Sequence, residues 1–171
     1  IPSPYTTGLL DKFLDGAYVP AFETARGCPF LCTFCDQGLD ESKIASHSNA
    51  RMFEEMMYVG ERVSQLKNGI KHIEFFDSNW GMFEKDLEFA DDILKIEKKY
   101  NWPKYIVSQP PKSNRDNMLK INDKLKNIVR FGLAMQSLNS ETLKDIKRKN
   151  WSRKEYRDFI NEIKKRGQTA A

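Results

Sequence analysis

Apolar residues along the chain alternate between short dense runs and longer stretches with a three-to-four-residue rhythm, and turn formers separate the two. The run VPAFETA, residues 19–25, predicts a first strand. Over residues 49–67, Met52, Met56, Val59, Val63 and Leu66 recur at spacings of four and three, which puts them on one face of a helix stopped by Gly69. IKHIEFF, residues 70–76, predicts a second strand ending at Asp77, and Phe83, Leu87, Ala90 and Leu94 predict the helix after it. KYIVSQ, ahead of Pro110 and Pro111, predicts a third strand, because a proline has no N–H to give a sheet ladder. Its helix spans 114–125. NIVRFGLAMQS, residues 127–137, predicts a fourth strand, and NSETLKDIKRK a short helix opened by Asn139 or Ser140. Ser152 and Glu155 form a capping-box pattern ahead of Tyr156, Phe159, Ile160 and Ile163, with Gly167 as the stop of this last helix.

Strands alternating with helices imply parallel strands joined by right-handed crossovers, so the expected class is α/β. In such folds functional groups gather where strands end and loops to helices begin. The loop after the first strand, DSNWG after the second (77–81) and QSLNS after the fourth (136–140) all fall on that edge. Residues 1–18, rich in Pro, Gly and Thr, read as an approach segment, and 19–171 as one domain. The chain opens on Ile1 and closes on GQTAA just after a strong helix, so it is expected to be a fragment of a larger core.

Composition narrows the classes. The 171 residues are 40% hydrophobic and 30% charged, with no apolar run able to cross a membrane and no signal-peptide pattern; a cytoplasmic protein with no membrane partner is expected. The net charge is +4, and Lys144, Lys147, Arg148, Lys149, Arg153 and Lys154 concentrate positive charge late in the chain. That segment suits a nucleic-acid surface or, more commonly, a solvated helix face. His47 and His72 lack partners at ligand spacing. Trp102 and Trp151 read as packing residues, and Trp80 as packing or, on the loop edge, a substrate wall.

All three cysteines, Cys28, Cys32 and Cys35, stand within ETARGCPFLCTFCDQG at CxxxCxxC spacing. Thiolates are soft ligands that select zinc or iron-sulfur clusters over calcium and magnesium. A cubane cluster has four irons and most electron carriers supply four cysteines. With only three, one iron keeps a coordination position open for a substrate or cofactor, as a catalytic zinc does. The alternative is a structural zinc with Asp36 or His47 as fourth ligand, although no second short Cys or His motif is present.

At these residues the sequence resembles the radical S-adenosylmethionine (radical SAM) superfamily, whose signature is CxxxCxxC in the loop after the first barrel strand. The resemblance implies a partial TIM-type barrel of parallel strands, with about four βα units present and the chain ending before a fifth strand. It implies a 4Fe-4S cluster on Cys28, Cys32 and Cys35, with Phe34 at the aromatic position before the last cysteine. The open iron would chelate S-adenosylmethionine, which an electron from the cluster cleaves to a 5'-deoxyadenosyl radical. Asp77, Ser78 and Asn79 stand where members commonly carry a Gly-Gly-Glu-like turn whose backbone binds the methionine amino group. Gln136 and Ser137 stand where the fourth strand contacts ribose or methionine, and Arg148 where an arginine grips the cofactor carboxylate through its planar fork. IPSPYTTGLLD ahead of the cysteines looks like members with an upstream cobalamin-binding domain, related to methylthiotransferase-type enzymes. The implied function is a radical SAM enzyme, with or without cobalamin-dependent methyl transfer, served by a reductant such as a flavodoxin or ferredoxin. The substrate is left open by the scaffold. Competing classes are a zinc-stabilised RNA-binding module using the basic segment and an iron-sulfur electron carrier.

Overall fold

The computed structural model describes residues 1–38, 44–67, 69–109, 111, 113–126, 128–131 and 133–167. Strand β1 (Ala21–Phe22) is followed by β2 (Ala25–Arg26), β3 (Ala45–Ser46), helix α1 (Asn49–Val63), β4 (His72–Phe75), α2 (Glu84–Tyr100), β5 (Tyr105–Ser108), α3 (Arg115–Leu125), β6 (Val129–Phe131), α4 (Ser140–Asp145) and α5 (Arg153–Lys165). The main sheet has the order β1-β4-β5-β6 and is parallel throughout, with Phe22 opposite Phe75, Phe75 opposite Ser108 and Ile106 opposite Val129. This is the α/β architecture expected of the first part of a TIM-type barrel, each strand lying beside its predecessor in the crossover series.

Helix formation follows the apolar rhythm. Met52, Met56 and Val59 of α1, Phe89, Ile93 and Ile96 of α2, and Met118 and Ile121 of α3 are at most 1% exposed, and they cover Ile73, Phe75 and Ile106 of the sheet. Each such side chain contributes about 1.5–3 kcal/mol on burial, which is why this helix-covered face holds the core. Ser48, Asn114 and Asn139 cap α1, α3 and α4 by accepting from backbone N–H groups. Ser152 and Glu155 make both bonds of the capping box at α5. The alternating strand pattern leaves Val107 exposed on the other face and Phe76, just past β4, exposed as well. None of the described helices is long and apolar enough to cross a membrane.

All four expected strands are shorter than the sequence suggests, the second and third by a residue or two at their ends, the first and fourth more substantially. The run at 19–25 divides into β1 and β2, because the Thr24 and Ala25 amides leave the parallel ladder to bond a side chain from another loop. The fourth strand pairs with β5 only at Val129–Phe131, and 133–137 continue without ladder partners among the described residues. Asn127, Gly132, Pro110 and 168–171, which entered the expected strand limits and the closing GQTAA, lie outside the described residues.

Candidate active site

After β1 the chain leaves the main sheet, and β2 and β3 pair with each other as a separate two-stranded ribbon with the three cysteines between them. The antiparallel pair Ala25–Ser46 and Arg26–Ala45 closes the base, and the His47 N–H donates to the Thr24 carbonyl at 2.9 Å. Gly27, at φ +94°, makes the turn directly before Cys28 in a conformation that other residues adopt only with strain. Cys28 and Cys32 are buried and Cys35 is partly exposed. The Cys35 N–H donates to the Cys32 carbonyl at 3.1 Å, and the Thr33 N–H reaches the Ile146 carbonyl at 3.1 Å, which ties the loop to the end of α4.

The β4–α2 loop holds the cysteine loop from the other side. Asp77, 3% exposed, accepts from the Thr24 N–H at 2.8 Å, the Thr24 hydroxyl at 2.5 Å and the Ala25 N–H at 2.7 Å. Burial raises its pKa above the ordinary value, opposed by these bonds from Thr24 and Ala25 and by the Lys85 charge. Lys85 also donates to the Thr24 carbonyl at 2.9 Å. Within the loop, Asp86 Oδ2 accepts from the Gly81 and Phe83 N–H groups at 2.8 and 3.1 Å, while Asn117 Nδ2 donates to the carbonyls of the same residues at 2.8 and 2.9 Å. Burial pushes Asp86 up to about 6; the Phe83 and Gly81 N–H groups and Lys85 pull it down, and the Asp77 charge adds to the rise. From this clamped loop the Ser78 hydroxyl donates to Gln37 Oε1 at 2.7 Å, and Asn79 Nδ2 lies 3.2 Å from Cys28 Sγ.

A cleft of about 220 Å³ opens at the strand ends. Phe34 and Cys35 from the cysteine loop, Ser78 after β4, Gln109 and Pro111 after β5, and Leu133, Ala134 and Gln136 after β6 line it, with Arg148 to Trp151 and Tyr156 closing the far wall. Arg148 is only 7% exposed, so it is not the solvated helix charge that a basic run usually supplies. Its Nε donates to Asn150 Oδ1 at 2.8 Å and a terminal nitrogen to the Ala134 carbonyl at 3.3 Å. Among the described residues no carboxylate lies within ion-pair distance of it, and no Asp or Glu lines the cleft.

Phe34, Cys35, Ser78, Gln136 and Arg148 therefore meet on one cleft, while Cys28, Cys32 and Asn79 are buried outside its lining. The Asp77 carboxylate faces Thr24 and Ala25. Ser137 is also off the lining: its Oγ accepts from the Asn139 N–H at 3.1 Å and its carbonyl from Asn150 at 3.0 Å. Trp80, 1% exposed and stacked on Phe75 at 4.8 Å, belongs to the core and forms no substrate wall, whereas Trp151 does line the cleft. Gln109, Asn150 and Tyr156 are cleft residues that sequence reasoning missed. Gln109 was detectable from its place at the end of a strand run, but Tyr156 read as one apolar position of α5, and only the fold shows its hydroxyl donating to the Ala134 carbonyl at 3.1 Å. Among the described residues no three His, Cys, Asp or Glu side chains converge on a position for a single ion, and Asp36 and His47 are solvent-exposed.

The chain is 27% identical over 165 residues to the cobalamin-dependent radical SAM methyltransferase TokK of Streptomyces tokunonensis, covering 91% of this chain and 24% of that protein. It is 29% identical over 162 residues to the tRNA-2-methylthio-N(6)-dimethylallyladenosine synthase of Staphylococcus haemolyticus, covering 91% of this chain and 30% of that one. The chain thus spans about a quarter to a third of the length of these relatives. Its fold superposes on the cobalamin-dependent S-adenosylmethionine radical enzyme OxsB with aqua-cobalamin and S-adenosylmethionine bound, with a TM-score of 0.64 and 16% identity over 99% of this chain and 25% of that one. The family model of the radical SAM superfamily matches residues 22–170, nearly the whole chain including the three cysteines, and the protein belongs to that superfamily.

Proposed function

We propose that this chain is the cluster- and cofactor-binding core of a radical SAM enzyme, with Cys28, Cys32 and Cys35 holding a 4Fe-4S cluster and the neighbouring cleft holding S-adenosylmethionine. One observation carries the reading: a buried guanidinium with no carboxylate partner among the described residues opens on the cleft that Cys35 lines. A buried charge left unpaired is strongly unfavourable, so such a site is suited to an anionic group arriving with a ligand. The carboxylate of a bound S-adenosylmethionine meets that need.

The donor set fits the cluster. Three thiols form a soft set that suits iron-sulfur chemistry, and each thiolate of a cubane bonds a different iron, so the cysteines need not converge on one point as the ligands of a closed zinc site must. When bound, the cluster supplies the single electron that splits S-adenosylmethionine. The chain's own residues bind and orient. Arg148, aimed by Asn150 and the Ala134 carbonyl, grips the carboxylate. Of the expected cofactor contacts, those on the lining carry the role: the Ser78 backbone takes the methionine amino group and Gln136 takes methionine or ribose, with Phe34 and Trp151 as flat apolar walls of the cleft.

Cobalamin-dependent methyl transfer is the reaction type we assign, in keeping with the named activity of TokK, and the vitamin would be held chiefly by residues outside this chain. A flavodoxin or ferredoxin would deliver the electron. Anaerobic reconstitution should give a brown protein that, once reduced, converts S-adenosylmethionine to 5'-deoxyadenosine or transfers its methyl group. Cys32→Ala should abolish both colour and turnover. A colourless protein carrying one zinc per chain would contradict the proposal.

A further inference from the structure

We infer that Asn79 tunes the reduction potential of the cluster by donating a hydrogen bond from its side-chain amide to the Cys28 thiolate. The inference rests on the reading that Cys28 is a cluster ligand. Asn79 is 5% exposed and Cys28 7%, with Nδ2 and Sγ 3.2 Å apart. A ligating thiolate can only accept, so it is the nitrogen of the amide that faces it.

The other end of the amide shows that packing alone does not explain this residue. Asn79 Oδ1 is buried and has no partner among the described residues. An unsatisfied acceptor of this kind costs about 1–3 kcal/mol, which a leucine of similar shape would avoid. What the asparagine offers in return is its N–H. The donor is also held in place. Asp77 on one side is fixed by Thr24 and Ala25, Trp80 on the other is stacked on Phe75, and Asp86 and Asn117 clamp Gly81 and Phe83.

Reduction adds one electron from a low-potential donor, with no bond made or broken and no proton moved. The added negative charge spreads onto the sulfurs, so a fixed N–H dipole in a dry environment stabilises the reduced state more than the oxidised one. Asn79 therefore raises the potential, and removing its N–H makes the cluster roughly tenfold harder to reduce, equivalent to about 59 mV for a one-electron couple.

The test is an anaerobic redox titration, followed by EPR, of the intact iron-loaded protein as wild type, Asn79→Leu and Asn79→Asp. Asn79→Leu should hold as much iron as wild type at a potential about 59 mV lower. Asn79→Asp should fall further, because a carboxylate adds negative charge beside the thiolate. Potentials equal to wild type in both variants overturn the inference and leave the cluster reading intact, whereas a wild-type protein without a 4Fe-4S cluster overturns the reading beneath it. Where a variant loads iron poorly, pulsed EPR of the reduced wild type with nitrogen-15 asparagine decides: a resolved coupling to the label supports the hydrogen bond, and its absence overturns it.

Discussion

Replacing Asp77 with alanine tests whether the cysteine loop is positioned by a carboxylate from a distant part of the chain. The substitution deprives the Thr24 and Ala25 N–H groups of their acceptor, and those residues are 2% and 6% exposed, so water does not replace it. Each stranded amide costs about 1–3 kcal/mol, giving roughly 2–6 kcal/mol before offsets. The Thr24 hydroxyl can rotate towards another acceptor and adds less. Burial has raised the Asp77 pKa, so the fold already penalises this charge, and removing it returns part of the loss. A net destabilisation of about 2–4 kcal/mol follows, a large share of the roughly 5–15 kcal/mol that keeps a domain folded. Urea denaturation at neutral pH measures it, and amide hydrogen exchange should accelerate first at Thr24 and Ala25. Iron uptake should fall with it, since the base of the cysteine loop is then untied from β4. An Asp77→Ala protein within about 0.5 kcal/mol of wild type, with unchanged exchange at those two amides, would refute the reasoning.

Two further outcomes are expected. Burial holds Asp86 at about 6 against an ordinary 3.8, so between those values the folded chain keeps a proton that the unfolded chain has released; its stabilising contribution is full below 3.8 and is lost as the pH rises to about 6. The loss amounts to roughly 3 kcal/mol, and Asp86→Asn should flatten that part of the stability-pH profile; identical profiles for the two proteins would contradict it. Arg148→Met keeps the apolar stem but removes the charged fork, so affinity for S-adenosylmethionine, measured by anaerobic calorimetry on cluster-loaded protein, should weaken roughly 10- to 100-fold; a change under twofold would show that Arg148 does not hold the carboxylate.

What could be read in the sequence was what depends on near neighbours. The helix-forming rhythm of Met52, Met56 and Val59 and the Ser152–Glu155 cap act within one or two turns, and the structure carries both. The α/β class followed from their alternation with the strand runs. The limits of the first strand did not, because the acceptor that draws Thr24 out of the ladder stands 53 positions later. Arg148 shows the same limit. Its neighbours Lys147 and Lys149 are exposed, and only the return of its N–H to the Leu143 carbonyl at 2.9 Å, after Lys147 at φ +49°, turns this one charge inward to the cleft. Trp80 takes the packing role, one of its two expected readings, while Trp151, expected only to pack, also lines the cleft, for a related reason. Loop position alone does not say which ring the core recruits, and here Phe75 stacks on Trp80.

The central claim is that three thiolates hold a cluster whose remaining iron is free for the cofactor bound beside Arg148. Low-temperature EPR of the reduced, anaerobically reconstituted protein, recorded before and after adding S-adenosylmethionine, tests this directly. The account predicts a 4Fe-4S signal that changes in wild type on addition and, at the same concentration, changes little in Arg148→Met. A signal indifferent to S-adenosylmethionine in the wild-type protein, or a protein that binds zinc in place of iron, would contradict it.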